Sequence, residues 1–303
     1  QCEGVLRPAA PKVRVQAMKD LSLHFEEESR RPRGPSRRAL AKEAEEIVIL
    51  LQRVITDWMA CGFDRDSTRG VKYALHATHL LFSALPDVAC TIRQETVGRL
   101  LEDLLLLASN EAAKGSDEEM QVVGRGTEEL VMDVLGSADC NAVFTTLIQF
   151  LYEGARLSGG QEPPVDFIAN VLRCLMEMAR RMSTYLARLR VDTLLYDAHL
   201  FLVAHPPSKY RGREFRPLRL LKTILNELVK LKGESIREHL TLVPVDSKPT
   251  LCSYLDLVLQ QHAAGRAAPV APATTVSSSS AAPDNSITGI FDRITSKDKE
   301  VAK

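Results

Sequence analysis

"RPLRLLKTILNELVKLKG", residues 216–233, decides the fold class. At about 100° per residue, Lys222, Asn226 and Lys230 fall within about 60° of Arg219, while Leu221, Ile224, Leu225, Leu228 and Leu231 crowd the opposite half. The spacing predicts a half-buried helix with a basic ridge. Pro217 suits the first turn, where its missing N–H would have no helical partner. Lys230 and Lys232 complement the dipole in the last turn, and Gly233 is expected as a left-handed C-cap. Arg216 opposes the dipole at the other end. Together with Lys209, Arg211 and Arg213 in the preceding loop it asks for an acidic partner, against the competing reading of solvated surface charge.

The same period extends outward along the chain. Apolar residues recur at helical spacing in roughly eleven segments, near 11–26, 36–60, 68–86, 90–109, 117–136, 141–156, 164–184, 191–205, 217–232, 234–242 and 249–264, and no segment alternates like a strand. The breaks are short and rich in turn residues: "LPD" at 85–87, "GSAD" at 136–139, "SGGQEPP" at 158–164, "HPPSKYRGREFRP" at 205–217 and "VPVDSKP" at 243–249. Helices joined two to a unit of about 40 residues are the habit of HEAT-type arrays. An all-helical globule without repeats satisfies the same periodicity. "PKVRVQAMKDL", residues 11–21, favours the array, because Pro11, Val13, Arg14, Ala17 and Leu21 follow the order of a HEAT second helix. Val13, Ala17 and Leu21 are then expected to line a buried stripe.

Composition limits the function classes. The 303 residues suffice for a substantial core, and 45% hydrophobic with 26% charged residues are ordinary globular values. Thirty-nine basic residues balance thirty-nine acidic ones, so bulk attraction to nucleic acid or membrane is not expected and electrostatic roles fall to local patches. The six cysteines are scattered without a C-x-x-C pair, as expected of reduced thiols in the cytoplasm or nucleus. No apolar run approaches the roughly 18 residues of a membrane span. The first residue is Gln1, as expected of a fragment.

Two stretches then become recognisable. "LLYDAHLFLVAH" (194–205) and "LRLLKTILNELVKLKGESIREHLTLVPVDSKP" (218–249) resemble the C-terminal region of the TOG-domain microtubule polymerases, most of all the plant type. The family pattern R-x-L/V-K-T-x-L-x-x-L-x-K-L-x-G is matched by Arg219, Lys222, Thr223, Leu225, Leu228, Lys230, Leu231 and Gly233. The likeness is specific over 190–262, looser over 70–151, and one of pattern only over 1–65. Gly124 and Gly126 depart from it. The family has good helix formers there, and each glycine costs about 1 kcal/mol in a helix, so a kink or a weaker unit is expected.

The resemblance implies an all-α, HEAT-repeat-like (TOG-like) α-solenoid of paired antiparallel helices over 1–262, monomeric as an isolated domain. It implies no enzyme activity and no cofactor. It points to the smaller TOG-like domain near the family's C-terminus, tied to recruitment through TACC-type coiled-coil adaptors or other plus-end partners at microtubules, spindle poles and plus ends. TOG domains grip tubulin by turns rich in basic and aromatic residues. The turn Lys209, Tyr210, Arg211, Arg213 and Phe215, continued by Arg216, Arg219 and Lys222, has that composition and is the first candidate for a tubulin-binding edge. Trp58 is an alternative aromatic, although a core role fits its setting better.

A second basic cluster, "ESRRPRGPSRRALAK" (28–42), holds Arg30, Arg31, Arg33, Arg37, Arg38 and Lys42 around two prolines and is expected to be an exposed loop. Such a loop would speed association with an acidic surface such as tubulin, in a salt-dependent way. A solvated loop or a nuclear import signal are the other readings, and a nucleic-acid site lacks the interleaved aromatics it would need. From Ala263 to 286 the chain turns Ala-, Pro- and Ser-rich, a disordered linker. Residues 287–303 then place Ile287, Ile290, Phe291 and Ile294 on one helical face, expected to dock on this chain or on a partner. Catalytic signatures are missing: "GRG" at 124–126 lacks the rest of a dinucleotide loop, and no P-loop occurs. His76 and His79 lack an evident third ligand, His239 suits a helix C-terminus, and Glu26, Glu27 and Glu28 read as a solvated charge run.

Overall fold

The computed structural model describes residues 11–31, 33–61, 65–110, 118–152, 165–210, 214–244 and 249–267. The α-helices are α1 (Pro11–Arg30), α2 (Pro35–Cys61), α3 (Arg65–Ala84), α4 (Pro86–Ala89), α5 (Gln94–Ser109), α6 (Glu118–Ser137), α7 (Cys140–Tyr152), α8 (Val165–Arg180), α9 (Met182–Tyr185), α10 (Val191–Ala204), α11 (Arg216–Lys232) and α12 (Thr250–Ala267). Two 3-10 helices, Pro207–Tyr210 and Gly233–His239, complete the described elements, among which no strand occurs. The fold class is all-α and HEAT-like. The helix expected over 90–109 forms as α5 from Gln94, a separate short α4 fills the expected break before it, and 234–242 is mostly 3-10 rather than α. α12 continues to Ala267, past the expected start of the linker; residues 268–286 and the tail lie outside the described residues.

The helices gather into two compact units, one of residues up to Met178 with Ala187–Leu189, the other of Ala179–Leu186 with Arg190 onward. In the first, α1 and α2 pack on α3, α3 on α6, and α5 on α2, α6 and α7. Phe25, Leu51, Ile55, Phe82, Leu100, Leu101 and Phe144 are fully buried, and Trp58 is 2% exposed, the core role its setting favoured. The stripe of α1 is corrected: Met18, Ser22, Phe25 and Glu28 are buried, whereas Val13 is 56% exposed. The face of α1 that meets α3 is therefore offset from the motif's face. A Cβ at Gly70 would lie 3.7 Å from Val15 Cγ2, an ordinary van der Waals contact, so this approach does not require the glycine. α6 runs as one helix through Gly124 and Gly126, and a Cβ at Gly126 would meet nothing within 4 Å.

In the second unit, α11 packs on the 3-10 helix after it, on α12 and on α9, and α10 packs on α12. Leu218, Leu220, Leu221, Ile224, Leu225, Leu228 and Val229 form the buried side of α11, with Leu251, Tyr254 and Leu255 of α12 also buried. Tyr254 donates to Asn226 Oδ1 at 3.1 Å, and burial pushes its phenol well above the usual range despite that bond. Gly233 ends α11 with φ 59° and ψ −142°. This is outside the left-handed helical well expected for it and in a region that only glycine enters readily.

Candidate functional site

The basic edge is built around the start of α11. Its N-cap, Phe215, offers no side-chain cap, so nothing local neutralises the positive end of the dipole. Arg216 and Arg219 are both exposed there, and Lys209 is exposed on the preceding 3-10 helix. The acid near them is Glu214, whose Oε1 lies 3.4 Å from Arg219 Nη1; both side chains are mostly in solvent, at 66% and 76%, so the pair is weak. Among the described residues neither Lys209 nor Arg216 has an acidic partner.

Aromatic rings hold this edge from behind. Tyr210 and Phe215 stack with centroids 4.0 Å apart and planes 4° apart, and His205 lies 5.4 Å from Phe215 and 5.0 Å from the buried Phe201. Tyr210 Oη and His205 Nδ1 are hydrogen-bonded at 2.8 Å, and Lys209 Nζ lies 6.0 Å from the Tyr210 ring centroid. Tyr210 and Phe215 therefore brace the turn, each half-buried against a ring, instead of standing out as display residues. Burial, aided by the Lys209 ammonium, holds the His205 imidazole below its ordinary range. The imidazole is accordingly neutral at pH 7, and the stack stays uncharged.

The expected residues are only partly brought together. Lys209, Tyr210, Arg216 and Arg219 share the turn and the first helical turn of α11. Lys222 does not join them: it is 7% exposed, on the buried side, and Tyr254 reaches toward its carbonyl at 3.4 Å. The helical-wheel angle put Lys222 beside Arg219, but α12 covers that sector, so position on the wheel alone could not place it. Arg211 and Arg213 lie outside the described residues, as do Ile287, Ile290, Phe291 and Ile294.

The second basic cluster is corrected more strongly. Residues 28–30 end α1 and 35–42 begin α2, so the expected exposed loop is a tight corner. Arg37 is only 11% exposed. It donates from Nη2 to the carbonyls of Glu28 and Ser29, each at 3.1 Å, and from Nη1 to Asp87 Oδ1 at 3.2 Å. Asp87 Oδ2 also lies 3.6 Å from Arg33 Nε. Arg30 pairs with Glu26 at 3.6 Å, and Arg31 with Glu27 at 3.6 Å and Glu28 at 2.5 Å. The Glu28 side chain is 1% exposed, not part of a solvated run. Burial pushes its carboxyl up, yet the hydrogen bond from Ser36 and the Arg31 guanidinium outweigh it and hold it below the ordinary value.

Glu28 and Asp87 were missed as site residues. The first had a signal, because the period from Met18 through Phe25 puts residue 28 on the packed face. The second had none: Asp87 opens α4, 50 residues from Arg37 in sequence. His79 Nδ1 bonds Asp133 Oδ2 at 2.6 Å, and among the described residues no group of three His, Cys, Asp or Glu side chains is placed to hold a metal ion. Nor is any described helix long and apolar enough to cross a membrane.

Protein MOR1 of Arabidopsis thaliana is 27% identical over 270 residues, 85% of this chain and 14% of its own length. Protein MOR1 of rice is 28% identical over 240 residues, 75% of this chain and 12% of its own length. Protein mini spindles of Drosophila melanogaster is 25% identical over 231 residues, again 75% of this chain and 11% of its own length. The chain thus spans only 11 to 14% of these curated relatives. No family model and no solved structure matches it. The relatives bear out the resemblance read from residues 190–262, and they extend it over at least three quarters of the chain.

Proposed function

We propose that this chain, a relative of the TOG-domain microtubule polymerases, is a non-enzymatic module that contacts tubulin or the microtubule lattice through the edge of Lys209, Arg216 and Arg219. The relationship to MOR1 and mini spindles is the observation that supports this reading most directly. The geometry agrees with it. Three exposed cations sit at the positive end of a 17-residue helix, opposed by one exposed carboxylate, on a turn stiffened by stacked rings. Such a surface attracts an acidic partner and needs no rearrangement to meet it. Localisation to microtubules in the cytoplasm, at spindle poles or plus ends, belongs to the same proposal.

The test is co-sedimentation of the whole chain with stabilised microtubules, and gel filtration with free tubulin, at low and moderate salt. The comparison protein combines Lys209→Glu, Arg216→Glu and Arg219→Glu; Lys222 is left alone because reversing a buried cation would unfold α11. Binding by the wild type, weakened by salt and lost in the variant, is the expected result. Failure to bind either form at low salt would sink the direct-contact reading.

The second reading is an adaptor-binding HEAT scaffold without tubulin contact, its partner a TACC-like coiled coil. Its specific support is the exposed Val203 of α10, at 64%, an apolar side chain left in water on the second unit. It expects Val203→Asp, and not the charge reversals, to abolish partner capture.

A further inference from the structure

We propose that the α1–α2 corner holds a carboxylate-binding pocket that takes one acidic side chain of a protein partner, glutamate in preference to aspartate. The site is separate from the α11 edge and uses none of its residues. A cavity of about 250 Å³ opens there, lined by Arg33, Gly34, Arg37, Arg38, Asp87 and Val88 among others. Three guanidiniums face one carboxylate, so the cavity keeps a surplus of two positive charges. The first turn of the 27-residue α2 adds the positive end of its dipole.

The groups are positioned in advance. Arg37 is fixed by the carbonyls of Glu28 and Ser29, which leaves its Nη1 edge turned to Asp87. Asp87 touches both Arg37 and Arg33, so a carboxylate already meets the geometry of this cluster. Arg38 is exposed and takes no acidic partner among the described residues. Glu28 cannot serve it, because that carboxylate is buried against Arg31. An incoming acid would therefore pair with Arg38 and with the exposed Arg33, completing the charge balance that Asp87 begins.

Size and charge select the ligand. The cavity lies just below the usual range of about 300–1,000 Å³ for small-molecule sites and has room for one side chain with water. The surplus positive charge attracts an anion, and the carboxylate of Asp87, already seated between Arg33 and Arg37, shows the group that this cluster accommodates. Ala41, half-buried in the lining, offers an apolar wall that suits the longer aliphatic stem of glutamate.

The experiment uses the whole chain carrying Lys209→Glu, Arg216→Glu and Arg219→Glu, so that the other basic surface is silent. Fluorescence anisotropy reads the binding of a fluorescein-labelled hexaglutamate peptide at low salt. Arg38→Ala is expected to weaken binding about tenfold, the loss of one charge-assisted contact. Asp87→Asn should tighten it, because it removes the internal competitor. Glu43→Gln makes the same change in charge on an exposed residue of α2 that does not line the cavity, and should leave binding unchanged. Equal tightening by Asp87→Asn and Glu43→Gln would reduce the effect to diffuse charge and overturn the pocket. So would an inert Arg38→Ala, or hexaspartate binding better than hexaglutamate. Saturation by millimolar inorganic phosphate with no binding of hexaglutamate would also overturn it, assigning the cavity to phosphate.

Discussion

The two arginine-rich stretches look alike in sequence and have opposite fates. At the α1–α2 corner four of the five arginines singled out are answered by acids within the chain: Arg30 by Glu26, Arg31 by Glu27 and Glu28, Arg33 and Arg37 by Asp87. At the α11 edge, Lys209 and Arg216 have no acid among the described residues and Arg219 has a solvated one. Arg33 and Arg37 of the corner reach α4 through Asp87, while Arg30 and Arg31 pair with acids of α1 itself; the cations of the edge stand in solvent. Burial sets Arg37 apart, at 11% exposed against 76% for Arg219, since a guanidinium out of water must be paired while one in water need not be.

Substitution of one arginine in each place is the strongest way to break that contrast. Arg37→Ala should cost about 2–3 kcal/mol in urea unfolding, because it strands the carbonyls of Glu28 and Ser29 and the carboxylate of Asp87. Arg219→Ala should fall within about 0.5 kcal/mol of wild type. Equal costs at the two positions would end the distinction between a fastening and a displayed cation.

Phe215→Ala sharpens the comparison from the other side, by testing whether the displayed cations depend on the rings behind them. Loss of its stack with Tyr210 and its contact with His205 should cost about 2 kcal/mol. Microtubule binding should weaken as well, although no charge is removed. Unchanged binding would show that the cations act without their aromatic support.

Acid separates the two units by a smaller effect. His205 is held below its ordinary value of 6.5, so the folded state favours the neutral imidazole. Its contribution is complete above 6.5 and is lost as pH falls through the lower folded value. Glu28 is also held low, but from 4.5, so its contribution to the first unit survives until the pH drops below that value. The single tryptophan, Trp58, lies in the first unit and reports on it alone. Between pH 6.5 and 4.5, circular dichroism of chemical unfolding should reveal a loss of stability that Trp58 fluorescence does not follow. His205→Phe should reduce that loss, leaving the share of His199, which burial also lowers. Coincident loss by both probes, unaffected by His205→Phe, would remove the histidine as its cause.

Helix positions were legible in the sequence because their causes are local. α11 begins at Arg216 with Pro217 in its first turn and ends before Gly233, as proline, glycine and the leucine period require. The short piece Pro86–Ala89 shows the limit of that reading, since the break expected at "LPD", 85–87, contains a proline that starts a helical turn of its own.

The sequence by itself determined an all-helical chain, the Trp58 core and the family resemblance, since each rests on spacing or residue type within one segment. Tertiary structure alone decided which charges are displayed. Lys222 and Arg219 differ by three places on one helix, yet α12 covers one and water reaches the other. Arg37 and Arg38 are adjacent, yet only the first meets Asp87, half a hundred residues onward. Periodicity gives the angle of a side chain about its own helix; only the neighbouring helices fix what stands at that angle, and burial there sets whether a charge fastens the fold or faces a partner.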